Sequence, residues 1–451
     1  MAKQLFGTDG IRGVAGEYPL DARTVYAVGA ALARRLAPRS GPAVLIGMDT
    51  RQSGLELAEL LAAGLADDGG AGVRFAGVMP TAAVSFLVER EACAAGVMIS
   101  ASHNPFEDNG IKVFGPNGFK IPDEVEHEIE ELIFKLAGGE LSPRRLPLAV
   151  DENLERHYLE HLLQAGPPPA ELRRLRVIAD CSNGAACRGA EAFFRELGMD
   201  VEITAAQPDG RNINLDCGSL HLEKLQALVV DRGADLGVAF DGDADRALFV
   251  ADDGQPVDGD GILLLAGRHL KASGRLPGDL VVTTVMANMG LEAALNEAGI
   301  RMARTKVGDK YVLEQMVASG ATLGGEQSGH VIFREHANTG DGLLTARVML
   351  EILGAAQEPL SVLRRQLKVF PQKLVNVRVK SKPPIEDAPA LAAAVRRSEA
   401  ELNGRGRIVV RYSGTEPLAR VMVEAENAAD VEAHCTRLAA VFEQEIGISA
   451  R

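Results

Sequence analysis

The sequence predicts an α/β protein: three related α/β domains with mixed sheets, then a smaller α+β domain at the C-terminal end. Three observations carry this. A pattern of buried strand, polar loop, helix, glycine and returning strand opens three times, at 42, 175 and 280. Near 370 the pattern changes to strand, helix, strand, strand, helix. The length of 451 residues allows about three or four domains at roughly 150 residues each.

In the first unit an apolar run at 42–48 reads as a strand, 49–53 as its loop, about 55–67 as a helix, and 73–75 as the returning strand. In the second, the strand is 175–179, the loop 180–184, the helix about 189–197 and the returning strand 199–203. In the third, 280–284 is the strand, the loop runs through Asn288, the helix is about 291–298 and 300–303 returns. A buried strand, a helix with a glycine stop and a second strand make a βαβ unit. A helix at about 151–164 and the break Gly166-Pro167-Pro168-Pro169 separate the first two units. After Phe370-Pro371, 374–379 alternates as a strand and 385–403 reads as a helix; two strands and a closing helix follow. The expected domains are 1–150, 151–255, 256–369 and 370–451.

Composition narrows the function. Hydrophobic residues are 46% and charged residues 24%, enough to fill several cores and too apolar for wholesale disorder. Lys and Arg total 48 against 62 Asp and Glu, a net charge of −14, which disfavours nucleic acid and acidic membrane as general partners. The five cysteines (93, 181, 187, 217 and 435) form no CxxC pair, so neither a disulfide scaffold nor a structural zinc site is expected. The opening lacks the apolar core of a signal peptide, and no apolar run approaches the roughly 18 residues of a membrane span. The expectation is a protein of a reducing cytoplasm.

Four motifs carry chemistry. In Ile99-Ser100-Ala101-Ser102-His103-Asn104-Pro105 an apolar run delivers a hydroxyl-rich turn. It reads either as a nucleophile or phosphate carrier beside a histidine, or as a polar turn bonded to itself. Lys112 follows closely as an anion contact. In Asp241-Gly242-Asp243-Ala244-Asp245-Arg246 three carboxylates at i, i+2 and i+4 concentrate hard oxygen ligands, which suits Mg²⁺ or Ca²⁺. Arg246 and Asp252 stand where an EF-hand needs Gly and Glu, which leaves a solvated acidic turn as the competing reading. Gly324-Gly325-Glu326-Gln327-Ser328-Gly329-His330 reads as a loop that approaches a polyhydroxyl ligand, or as an ordinary turn. Arg411-Tyr412-Ser413-Gly414-Thr415-Glu416-Pro417 offers an arginine fork, hydroxyls and exposed N–H groups to a phosphate, with Arg420 on the next strand; the alternative is a hairpin with a surface arginine. The opening Phe6-Gly7-Thr8-Asp9-Gly10-Ile11-Arg12-Gly13 adds Arg12 as an anion contact. One motif per expected domain points to a cleft between four domains, holding a small phosphorylated polyol and a divalent ion.

These motifs, in this order over the whole chain, resemble the α-D-phosphohexomutase superfamily. The opening 6–13, the Gln of the sugar-type loop and Lys306-Val307-Gly308-Asp309-Lys310-Tyr311-Val312 are similar to the bacterial branch that acts on glucosamine phosphates. One departure, Pro80-Thr81-Ala82 where many relatives have a second proline, lies outside the motifs. The resemblance implies a heart-shaped arrangement of four domains around a central cleft. It implies interconversion of glucosamine 6-phosphate and glucosamine 1-phosphate through a phosphoserine enzyme and a sugar 1,6-bisphosphate, on the route to UDP-N-acetylglucosamine. Ser102 would be the phosphoserine; Asp241, Asp243 and Asp245 would bind one Mg²⁺, with a Ser102 phosphate oxygen completing its shell. Glu326 and Ser328 would hold the sugar, and Arg411, Ser413, Gly414, Thr415 and Arg420 the non-reacting phosphate. Arg12, His103, Lys112, Arg246 and His330 would assist. The expected assembly is a monomer or homodimer. Neutral-sugar phosphohexomutases, a non-catalytic phosphosugar sensor and a Mg²⁺ phosphatase share parts of this pattern.

Overall fold

The structure is a computed structural model that describes residues 4–7, 9–37, 41–413 and 417–448. The described residues form four sheets, and three of them share one topology. In the first, Val44–Met48 lies between Val73–Val78 and Ala95–Ile99, parallel to both, and Asp108–Phe114 then pairs antiparallel with Ala95–Ile99. In the second, Arg176–Asp180 lies between Asp200–Thr204 and Leu236–Phe240, and Ala247–Ala251 adds antiparallel. In the third, Leu280–Thr284 lies between Arg301–Thr305 and Leu323–Gly325, and Val331–Phe333 adds antiparallel. The expected mixed α/β sheets are therefore present three times. The first sheet gains two further strands on that side, Gly10–Val14 and then Phe6–Gly7 at the edge, and the second gains Pro256–Val257.

Burial explains which strands the sequence advertises. Strands covered on both faces read as unbroken apolar runs. Ala95–Ile99 and Leu236–Phe240 are buried at every position. The second strands, Asp200–Thr204 and Arg301–Thr305, lie at sheet edges, are half-exposed and carry charge. Asp108–Phe114 is nearly all buried, but its Asp-Asn-Gly start conceals it as a loop.

The fourth sheet is wholly antiparallel, with Leu418–Ala425 between Gln372–Arg378 and Gly406–Tyr412. Helices Pro389–Leu402 and Ala428–Ile446 complete the expected strand, helix, strand, strand, helix order. The first of these begins four residues later than its apolar pattern suggests, because Pro389 suits only a first turn. Likewise the helix Gly54–Gly64 ends earlier than expected and passes into a wide π-type turn, Leu65–Gly69.

Packing divides the molecule unevenly. One continuous core joins Leu45 and Met98 of the first unit to Val177 and Phe240 of the second and Val281 and Phe333 of the third. The C-terminal unit keeps a separate core around Val421, Leu438 and Phe442. None of the described helices is long and apolar enough to cross a membrane.

Candidate active site

The three repeated sheets place their chemistry at one equivalent point, the turn from the third strand into the antiparallel fourth. That turn is 100–107 in the first unit, 241–246 in the second and 326–330 in the third. The loop after Tyr412 is the corresponding hairpin of the last unit.

In the first turn, Ser102 has φ 53°, a left-handed conformation that costs a non-glycine residue roughly 1–2 kcal/mol. It aims the hydroxyl at the second unit: Ser102 Oγ donates to Asp241 Oδ2 at 2.5 Å and lies 3.3 Å from His103 Nδ1. Ser100 is engaged elsewhere, donating to Asp49 Oδ2 at 2.6 Å. Gly242 is obligatory here, since a Cβ on it would lie 2.4 Å from the Ser102 carbonyl oxygen.

Asp241, Asp243 and Asp245 are all buried, with one carboxylate oxygen from each within 4.8 Å of the others. Thr81 Oγ1 donates to Asp243 Oδ2 at 2.5 Å, and Lys112 Nζ reaches the same atom at 2.8 Å. Lys112 Nζ also lies 3.6 Å from Asp245 Oδ2. The second oxygens of Asp243 and Asp245 are buried without a hydrogen-bond partner. Three gathered carboxylate oxygens and two orphaned ones fit a hard divalent cation. The charges respond accordingly. Burial, Asp245 and Asp243 push the Asp241 carboxyl well up. Burial works the same way on Asp245, but Lys112 and His330 outweigh it and hold this group well below the carboxylate range.

The sugar-type loop abuts the aspartate loop: Ala247 N–H donates to Gly329 O at 3.1 Å. Glu326 Oε1 accepts the Gly308 N–H at 3.1 Å, while Ser328 is exposed. Gly308 has φ 133°, where a side chain is strained. Gly340 N–H donates to His330 Nε2 at 3.0 Å, which leaves the ring proton on Nδ1, 3.6 Å from Asp245 Oδ2.

Basic residues converge on this point. Arg12 bonds Asp9, and Lys112 Nζ lies 3.1 Å from the same carboxylate. Arg246 Nε lies 3.8 Å from Asp245 Oδ1, and its backbone N–H donates to Asp241 Oδ1 at 3.1 Å. Burial, Arg246 and Arg12 push the His103 imidazole down to about 4, so it is neutral at pH 7. In the last unit Arg411 stands directly across the ladder from Arg420. Burial and Arg420 both disfavour the Arg411 charge, whereas Glu326 favours it. Like charges opposed on a ladder repel, an arrangement that an anion relieves. Ser413 is buried, its carbonyl oxygen taken by Lys382 Nζ at 2.5 Å. Gly414 and Thr415 lie outside the described residues.

Several neighbours escape sequence reasoning. Asp9 and Asp309 sit inside segments singled out for resemblance, yet they bind Lys120 at 2.5 Å each and tie the first unit to the third. Thr81, in the stretch set outside the motifs, touches Asp243 directly. Arg51, Asp49 and Asn214 surround the serine turn. Their isolated positions give no motif to find.

The fold and this four-loop site define a class. Family models for phosphoglucomutase/phosphomannomutase match domain I at 3–138, domain II at 156–254, domain III at 258–370 and the C-terminal domain at 374–441. The chain is 56% identical to "Phosphoglucosamine mutase" of Solibacter usitatus, covering 99% of this chain and 100% of that one. It is 50% identical to the protein of that name from Koribacter versatilis, over 99% and 98%. By these matches the chain belongs to the phosphoglucomutase/phosphomannomutase family and, within it, to the phosphoglucosamine mutases. Its fold is that of a Burkholderia thailandensis phosphoglucomutase/phosphomannomutase family protein (TM-score 0.79, 24% identity, 98% and 99% covered). An Aspergillus fumigatus N-acetylphosphoglucosamine mutase, solved with GlcNAc-6P and magnesium, is also similar (TM-score 0.66, 19% identity, 98% and 96% covered).

Proposed function

We propose that the chain interconverts glucosamine 6-phosphate and glucosamine 1-phosphate, with Ser102 as the phosphoryl carrier. The observation that carries this is the 2.5 Å contact of Ser102 Oγ with Asp241 Oδ2 inside a buried three-aspartate cage. Asp241, Asp243 and Asp245 would hold the Mg²⁺, which when bound neutralises charge on the transferring group.

In the proposed reaction the bond from Ser102 Oγ to phosphorus breaks as a sugar hydroxyl oxygen bonds to the same phosphorus, and the hydroxyl proton ends on the Ser102 oxygen, giving a 1,6-bisphosphate. The sugar turns end for end, and its other phosphate returns to Ser102. Glu326 and Ser328 accept and orient sugar hydroxyls. Arg411, Ser413, Gly414, Thr415 and Arg420 grip the phosphate that is not reacting. Arg12, Lys112 and Arg246 offset negative charge, neutral His103 steadies the serine turn, and His330 presents a proton beside Asp245. Positioning and charge neutralisation suffice for phosphoryl transfer, which needs no strong base.

The domains would be 1–150, 151–255, 256–369 and 370–451, and the enzyme a cytoplasmic monomer or homodimer activated by the bisphosphate. Ser102→Ala is expected to abolish mutase turnover in a folded protein, and mass spectrometry of the purified wild type should find phosphate on Ser102. A panel of glucosamine, glucose and mannose phosphates tests the substrate; preference for a neutral sugar defeats the assignment.

A further inference from the structure

We propose that Arg51 is the positioning residue that fixes the aim of Ser102, a role that rests on the mutase reading above. Arg51 touches none of the aspartates of the cage. Its guanidinium is buried beneath the serine turn and gathers three carbonyl oxygens. Nη2 donates to Ser102 O at 2.8 Å and Asn104 O at 2.9 Å, and Nη1 donates to Pro105 O at 2.5 Å. Nε donates to Asp49 Oδ2 at 2.9 Å. That same Asp49 oxygen accepts the Ser100 hydroxyl at 2.6 Å, and Ser100 Oγ in turn accepts the Ser102 N–H at 2.9 Å.

Both polar ends of Ser102 are thus referred to one buried ion pair. Its C=O is held by Arg51 directly, and its N–H through Ser100 and Asp49. A left-handed serine persists only where its surroundings over-determine it, and this pair supplies the constraint. Releasing it lets the residue relax to ordinary φ, which swings Oγ away from Asp241. Asn214, from the second unit, braces the same turn by donating to Ser102 O at 3.0 Å and Asn104 O at 3.1 Å. The fork matters beyond the charge: a lysine ammonium lacks the planar donor set that spans these acceptors.

The test compares Arg51→Lys and Asn214→Ala with wild type, measuring kcat, KM, melting temperature and the rate at which glucose 1,6-bisphosphate phosphorylates Ser102. Misplacing a reacting atom by about 1 Å costs on the order of a hundredfold in rate. Arg51→Lys is therefore expected to lose at least about tenfold in kcat and in Ser102 phosphorylation, with KM within about threefold of wild type. Asn214→Ala should lose severalfold in the same two rates. Folded Arg51→Lys with wild-type kcat, or with a loss confined to KM, overturns the proposal. Should Arg51→Lys fail to fold, unchanged kcat in Asn214→Ala overturns it instead. Wild-type protein that turns over no hexose phosphate defeats the mutase reading and this proposal together; intact wild-type turnover with indifferent variants defeats the proposal alone.

Discussion

Ser100 and Ser102 are chemically identical and two residues apart, yet their surroundings assign them different partners. Ser100 spends its hydroxyl on Asp49, and Ser102 presents its own to Asp241. Spacing alone cannot separate them, because the difference is set by Asp49 and Asp241, far away in the chain. The aspartate triplet was legible, since three carboxylates two apart meet on one side of an extended turn. Chelation is expected to abolish turnover and added Mg²⁺ to restore it, as measured by formation of glucosamine 1-phosphate. Asp260 offers a pH test away from that cage. Burial and Asp258 push its carboxyl up to about 8, whereas an unfolded aspartate titrates near about 3.9. Stability from this group is full below pH of about 4 and is lost as pH rises to about 8. Asp260→Asn, neutral throughout, should melt a few degrees above wild type above pH of about 8 and level with it near pH of about 4, as read by calorimetry.

At the scale of elements, the strand, helix and strand openings were legible wherever a strand is covered on both faces. The turns that follow the third strands were legible as motifs, but their equivalence was not, because topology is invisible in unaligned loops. Those turns are packed to contact. A Cβ on Gly242 would strike the Ser102 carbonyl oxygen at 2.4 Å, and one on Gly329 the Ala247 carbonyl oxygen at 2.5 Å. Gly242→Ala must therefore move the serine turn, and kcat should fall by about tenfold or more in a protein that still folds. Steady-state kinetics beside a circular dichroism melt checks both halves of that statement.

At the scale of the molecule, one core runs through the first three units, beside others local to each, while the last unit has no share in it. The change of pattern near 370 disclosed that last unit, but its docking was not legible, because the contacts are single polar residues from distant segments. Arg407 Nε bonds Glu424 Oε2 at 2.6 Å, and its Nη atoms donate to Val285 O and Ala287 O. Glu424 Oε1 accepts the Met289 N–H at 2.7 Å. Arg407→Ala strands a buried Glu424 carboxylate, at a cost of about 3 kcal/mol. Calorimetry of the wild type should resolve a separate transition for the last unit. Arg407→Ala should lower that transition and raise KM for the sugar phosphate more than it lowers kcat.

The recurrence of one strand order in three consecutive stretches also bears on ancestry. A single coding segment, copied twice in tandem, leaves this pattern. Each sheet carries a different chemistry at the same turn: a hydroxyl in one, carboxylates in the next and glycine-flanked polar side chains in the third. The chemistry belongs to no unit by itself, since it is assembled only where the three turns touch.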